Sequence, residues 1–289
     1  MSSHYAPTNG IQYHYLDYGG EGRTIVLLHG LTANAYAFQG LINAGLTDYG
    51  HVLSLDLRGR GRSDKPKSGY TMEDHAKDVV GLLERLGCEA VTVAGHSFGG
   101  LLTYYLAAKY PQYVDRCIVM DAPADVHEGI LDQIQPSLAR LEQTWPSFEE
   151  YLHYVKAMPY YPDGWWDSAL EVYYRADVEL LHDGSVKPRS NPDHIRQCAE
   201  GTLKVDWHAL VSKIAQPVLF LRAPEPFGPP NFPPLVPAEQ AQATMKRLKN
   251  GTLAEGVGNH ITYLFGDNAK LIVQTIGQWL EHTEDAMSL

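Results

Sequence analysis

The chain has 289 residues, with 23 basic against 34 acidic side chains and a net charge of −11, a balance that argues against a nucleic-acid backbone or an anionic membrane as partner. Its length suffices for one large core plus an inserted or appended smaller domain. No apolar run reaches the length of a membrane span, and Met1 to Tyr5 lack the charged start and apolar stretch of a signal peptide, so a cytoplasmic protein, monomer or homodimer, is expected.

Alternation in Ile11 to Leu16 predicts an early strand, and Thr24 to Leu28 a buried one that ends at His29-Gly30-Leu31-Thr32. Val52 to Leu55 predicts the next strand, which runs into Asp56-Leu57-Arg58-Gly59-Arg60-Gly61-Arg62-Ser63-Asp64. Thr71 to Leu86 starts polar and carries Val79, Val80, Leu82, Leu83 and Leu86 at helical spacing, so it packs one face on a sheet. Ala90 to Ala94 predicts a further strand. The chain then turns through Gly95-His96-Ser97-Phe98-Gly99 into a mostly apolar helix, Leu101 to Ala108. Cys117 to Met120 predicts another buried strand, followed at once by Asp121.

From about Val126 to His208 the pattern breaks, and helix formers and large aromatics replace buried strands. This interval reads as a helical cap, residues 126–208, inserted into a core made of residues 1–125 and 209–289. Core pattern returns at Val218 to Leu221. Pro224 to Pro237 holds seven prolines in fourteen residues, which forbids helix and central strand and reads as a rigid rim beside a site rather than as a polyproline ligand. Thr252 to Glu255 predicts the last strand, and Val257-Gly258-Asn259-His260 leads to a closing amphipathic helix, Lys270 to Leu280. Buried strands alternating with helices imply an α/β protein with a mostly parallel, doubly wound sheet.

The chemistry starts at Ser97. On a sharp bend from strand to helix, neighbouring Cβ atoms would collide, so glycines on both sides let Oγ stand free above the sheet, near a helix N-terminus. This G-x-S-x-G turn, the His29-Gly30 loop, the D-x-R-G-x-G-x-S segment at Asp56 and the G-x-H at His260 together resemble the α/β-hydrolase superfamily, of the capped serine esterase or lactonase type. That resemblance implies Ser97 as nucleophile, His260 as general base, and an oxyanion hole from the backbone N–H groups of Leu31 and Phe98. His260 is singled out among thirteen histidines by its place after the final strand and by the order serine, acid, histidine. His29 reads as a buried residue bonded to local backbone. The segment from Asp56 to Asp64 opens no helix at the offset of a phosphate loop and reads as loop-fixing.

The acid departs from the superfamily's common pattern. After Val218 to Leu221 the expected G-x-x-D turn is replaced by Arg222-Ala223-Pro224-Glu225-Pro226. Asp121, at the end of the preceding core strand, is taken as the acid, with Glu225 as the alternative. Cys88, Cys117 and Cys198 are scattered and odd in number, so they read as reduced, and neither metal nor cofactor is expected.

The cap aromatics, Tyr160, Tyr161, Trp165 and Trp166 among them, either pack the cap itself or wall the cleft. A small cap cannot hide all of them, which favours a bulky apolar ester or lactone, the macrolide type included, as the small-molecule substrate. Serine at position 97 excludes the alkyl-ester chemistry of dehalogenases and epoxide hydrolases, which needs a carboxylate there. Two alternatives remain open. A carbon–carbon bond hydrolase of ring-cleavage products would want cations such as Arg140 or Arg175 for the substrate carboxylate, and a hydrolase-fold small-molecule receptor would keep the triad yet turn over slowly.

Overall fold

A computed structural model describes residues 1–126, 129, 135–228 and 231–287, with side chains to residue 283; parts of the interval expected to form a cap and of the proline-rich run (127, 128, 130–134, 229 and 230) lie outside the described residues. The strands are β1 (Ser2–Thr8), β2 (Ile11–Gly19), β3 (Thr24–Leu28), β4 (His51–Leu55), β5 (Val91–His96), β6 (Val114–Met120), β7 (Val178–Leu180), β8 (Val186–Pro188), β9 (Val218–Arg222) and β10 (Gly251–Glu255). Eight of them form one sheet in the order β1-β2-β4-β3-β5-β6-β9-β10. From β4 through β10 neighbouring strands run parallel, while β1 to β2 and β2 to β4 are antiparallel. The expected α/β architecture with a mostly parallel sheet is therefore the one the chain adopts.

Central strands read as continuous apolar runs because both sheet faces are covered. Val26, Leu28, Val93, Val119 and Phe220 pack into one layer with α2 (Met72–Leu86, counting α1 as Gln39–Asn43) and α3 (Phe98–Lys109). Ile25, Leu27, Ala94, Ile118, Leu219 and Leu221 point the other way. α2 begins with a capping box in which Thr71 Oγ1 accepts from Asp74 N–H and Asp74 accepts from Thr71 N–H, a device contributing about 1 kcal/mol. α3 has no polar face. It is buried on nearly every side, which fits the helix that follows the central strand.

Between β6 and β9 lie α4 (Gln135–Leu141), α5 (Phe148–Lys156), α6 (Ser168–Asp177), α7 (Pro192–Leu203) and α8 (Trp207–Val211). Tyr151, Leu170 and Tyr174 from this interval join the same apolar layer as Ile25 and Leu27. Two features differ from the sequence-based expectation. The ribbon β7–β8 interrupts an interval read as purely helical, because strands of three residues are too short to show a period. β1 was not foreseen either, since Ser2, Ser3 and Pro7 give an exposed edge strand no apolar alternation. The chain closes with α9 (Ala238–Met245) and α10 (Gly266–Met287).

Candidate active site

Ser97 sits between β5 and α3 with φ 55° and ψ −119°, a conformation side chains rarely adopt. A Cβ on Gly95 would fall on the Gly99 carbonyl and one on Gly99 on the Leu28 carbonyl, so neither glycine has room for a side chain. Strain of about 1–3 kcal/mol at Ser97 is held by bonds on either side: its N–H donates to Met120 O (2.9 Å), and its carbonyl accepts from Gly100 N–H (2.8 Å). Ser97 is half-buried, and Oγ makes no hydrogen bond among the described residues.

Asp121 follows β6 directly and also has a positive φ, 53°. Its N–H donates to Leu221 O (2.8 Å) and its Oδ1 accepts from Ala223 N–H (3.0 Å), which turns Oδ2 toward His260 Nδ1 at 2.7 Å. Both side chains are withdrawn from solvent, at 1% and 6% residue exposure. An ionised carboxylate can only accept, so the histidine proton sits on Nδ1 and the Nε2 lone pair is free. Glu225, by contrast, is exposed, and only its backbone is tied in, by N–H donation to Gly258 O (3.2 Å). The structure thus brings Asp121 rather than Glu225 to His260.

The His260 loop is clamped by its neighbour Asn259. Asn259 Oδ1 accepts from Ile261 and Thr262 N–H (both 3.1 Å), while Nδ2 donates to Tyr160 O (2.6 Å), tying the loop to the interval between β6 and β9. Beneath, His96 Nε2 donates to His260 O (2.8 Å), its ring 4.4 Å from that of His260; burial drives its pKa well below the ordinary value, so it adds no charge.

At the turn, the N–H groups of Leu31 and of Phe98, the first residue of α3, have no acceptor among the described residues. His29 bonds backbone on both sides, Nδ1 to Gly30 O (2.7 Å) and Nε2 accepting from Leu57 N–H (3.0 Å); burial pushes its pKa down to about 4, and it stays neutral. Arg60 lies fully buried behind Phe98, its guanidinium 5.1 Å from the ring centroid. It donates to Arg58 O (2.7 Å) and Cys198 Sγ (3.0 Å), while Nε and Nη2 find no partner. The nearby carboxylates are engaged elsewhere, Asp78 with Arg58 (2.5 Å) and Asp56 with His14 (2.6 Å).

Of the aromatics expected in a cap, Tyr160 is linked to the histidine through a neighbouring ring. Its ring stacks on Phe227 (5.2 Å), which meets the His260 ring edge-on (5.1 Å). Tyr161, Trp165 and Trp166 pack against one another and against Tyr174, where the Tyr161 and Tyr174 hydroxyls share a hydrogen bond (2.7 Å). Sequence reasoning missed Phe227 and Arg60. Phe227 carried a weak signal, an aromatic in a loop at the C-terminal end of a core strand, where open α/β sheets bind ligands. Among the described residues no three His, Cys, Asp or Glu side chains gather as a metal site would require, and no helix is long and apolar enough to cross a membrane.

Comparison with known proteins agrees with the fold. Residues 23–151 match the family model described as alpha/beta hydrolase fold. The chain is similar to 2-(acetamidomethylene)succinate hydrolase of Mesorhizobium japonicum, 30% identical over 206 residues, covering 70% of this chain and 71% of that one. It is also similar to a soluble epoxide hydrolase of Corynebacterium sp., 36% identical over 121 residues, but there the match spans only 42% of either chain. Among solved structures, E-2-(acetamidomethylene)succinate hydrolase superposes with a TM-score of 0.82 at 23% identity, over 97% of this chain and 99% of that one. The enol-lactonase from Burkholderia xenovorans gives 0.69 at 21%, over 96% and 99%. At such identities the structural likeness speaks for the fold alone.

Proposed function

The chain belongs to the α/β-hydrolase family and is a hydrolase, and from that premise we propose that it cleaves carboxylic esters through an acyl-enzyme on Ser97, with residues 126–208 as a cap over the site. The observation that carries this reading is the buried hydrogen bond from His260 Nδ1 to Asp121 Oδ2 at 2.7 Å, on a histidine whose ring lies 4.4 Å from that of His96, the residue before Ser97 and its strained turn. Ser97 Oγ attacks the ester carbonyl and its proton passes to His260 Nε2. Asp121 holds the accepting tautomer and stabilises the imidazolium that results. Charge on the carbonyl oxygen is met by the N–H groups of Leu31 and Phe98. His260 then protonates the departing alkoxide, and water, activated by the same base, releases the acid.

Serine at position 97 separates this chain from epoxide chemistry, which proceeds through an enzyme carboxylate. The aromatic wall of Phe227 and Tyr160 beside His260 suits a bulky apolar ester or lactone. A carbon–carbon bond hydrolase would need a free cation in the cap. Arg140 is committed to Asp177 (2.5 Å) and to the Tyr151 hydroxyl, and Arg175 lies exposed on the Phe148 ring beside Glu171. A second reading, hydrolysis of a small dicarboxylate-type substrate, is favoured by the similarity to 2-(acetamidomethylene)succinate hydrolase.

One experiment separates these readings. Purified protein is offered neutral acyl esters of increasing size, lactones and 2-(acetamidomethylene)succinate, with products identified by mass. Many turnovers on neutral esters, rising with apolar bulk, are expected. Turnover confined to carboxylate substrates would favour the second reading, and a single turnover on every ester would point to a receptor.

A further inference from the structure

A serine, a histidine and an aspartate also meet far from Ser97 in sequence, on the antiparallel edge of the sheet. The pairing of β1 with β2 sets Tyr5 opposite His14 and Ser3 opposite Leu16, so Ser3 and His14 are diagonal neighbours on one face. Ser3 Oγ donates to His14 Nε2 (2.8 Å), and His14 Nδ1 donates to Asp56 Oδ2 (2.6 Å). His14 is wholly buried and Asp56 is 3% exposed, whereas Ser3 is open to solvent.

The pair behind Ser3 is rigid. Asp56 Oδ1 accepts from Ala35 N–H (2.7 Å) and Oδ2 from Arg62 N–H (2.8 Å), and His14 N–H donates to Ser63 Oγ (2.8 Å). Burial alone would raise the Asp56 carboxyl, but the hydrogen bonds from His14 and the Arg62 amide work against that, and the carboxyl lies below the ordinary carboxylate range. The Tyr5 ring, 4.9 Å away, packs on the imidazole. Nδ1 of His14 is thereby held as the donor and Nε2 as the acceptor, the arrangement a general base requires.

We propose that Ser3 is an activated hydroxyl and a covalent acylation site, one that takes the acyl group of an activated aryl ester and keeps it. Ser3 Oγ attacks the ester carbon, the C–O bond to the aryl oxide breaks, and the hydroxyl proton passes to His14 Nε2 and on to the departing aryl oxide. The product is an O-acyl serine. Release of the acyl group by water would need charge stabilisation on the carbonyl oxygen a second time, and Ser3 lies within an edge strand rather than at a helix N-terminus. The acyl group therefore persists.

Ser2 is a built-in control one residue away. Its Oγ bonds His4 Nε2 (2.7 Å), but both residues are exposed and no carboxylate engages the other nitrogen of His4 among the described residues. A Ser97→Ala chain treated with p-nitrophenyl acetate and mapped by tandem mass spectrometry should carry acetyl on Ser3 at a rate about 10²-fold above Ser2, the lower range for general-base assistance. Ser3→Ala in the same background should remove that acetyl. His14→Gln should do so as well if the chain folds, while the comparison of Ser3 with Ser2 needs no buried substitution. No acetyl on Ser3, or a preference over Ser2 below about tenfold, would overturn the proposal and leave the Ser3 bond to His14 purely structural.

Discussion

The pair of His260 with Asp121, at 2.7 Å, and that of His14 with Asp56, at 2.6 Å, are alike in length, yet the surroundings of the two serines assigned to them, Ser97 and Ser3, have little in common. Ser3 already has its bond to histidine and lies in a regular strand. Ser97 Oγ is unbonded among the described residues, on a bend with positive φ, where α3 begins and two amides lack acceptors. The contrast teaches that a row of hydrogen bonds makes a base and a nucleophile, and no more. Hydrolysis also needs donors waiting where negative charge will form, and a helix N-terminus supplies them while an edge strand does not.

The largest effect should come from Ser97→Ala, which removes the nucleophile from the proposed hydrolytic site. Ester turnover is expected to fall by on the order of 10⁶ in kcat, and rapid labelling by a fluorophosphonate should disappear, leaving only slow reaction at Ser3. Turnover that survives in this variant, measured on purified folded protein, would make the two serines equals and end the comparison. Next in size is Asp121→Asn, expected to cost about 10⁴ in kcat with little change in KM, because the amide presents the wrong group to Nδ1. Glu225→Gln should leave kcat near the starting value. The reverse ranking would move the acid to the proline-rich loop.

Asp56→Asn tests the other half. Its carboxylate accepts from His14 and from two backbone amides, so its loss should appear as roughly 3 kcal/mol of stability in denaturant melts, with kcat per folded molecule little changed. A kcat loss of the Asp121 size without loss of stability would mean that the two pairs are coupled. The smallest change concerns specificity: Tyr160→Ala opens the wall that reaches His260 through Phe227 and should shift the ratio of kcat/KM between large and small acyl groups by about tenfold. Trp165→Ala and Trp166→Ala, in side chains that pack on their neighbours, should instead lower stability and affect all substrates alike. Equal behaviour of the three variants would put these aromatics in one class.

What could be read from the sequence was whatever depends on near neighbours. The Ser97 turn is legible because its steric demand falls on Gly95 and Gly99, two residues either way, and α2 is legible because cap and apolar stripe lie within sixteen residues. The choice between Asp121 and Glu225 was harder, since it rests on how β6 and β9 lie side by side and on Ala223 N–H fixing the carboxylate. Ser3 with His14 and Asp56 gave no signal, because the meeting depends on the register of β1 against β2 and on the return of the chain at β4. Phe227 and Tyr160, sixty-seven positions apart, stack only once the loop after β9 meets the interval that follows β6.

Arg60 has a consequence for anyone who wishes to harden this protein against heat. A guanidinium without solvent, without a carboxylate and with two nitrogens unbonded is among the most expensive groups a folded chain can hold, and the cost grows with how completely water is kept away. Replacement by methionine, of similar length and content in an apolar setting, should raise the melting temperature by several degrees, the effect of about 1–2 kcal/mol in a chain of this size. The same change removes a positive charge from behind Phe98, so the hardened enzyme should also be the slower one. Thermal tolerance and speed would then be set against each other at a single buried position.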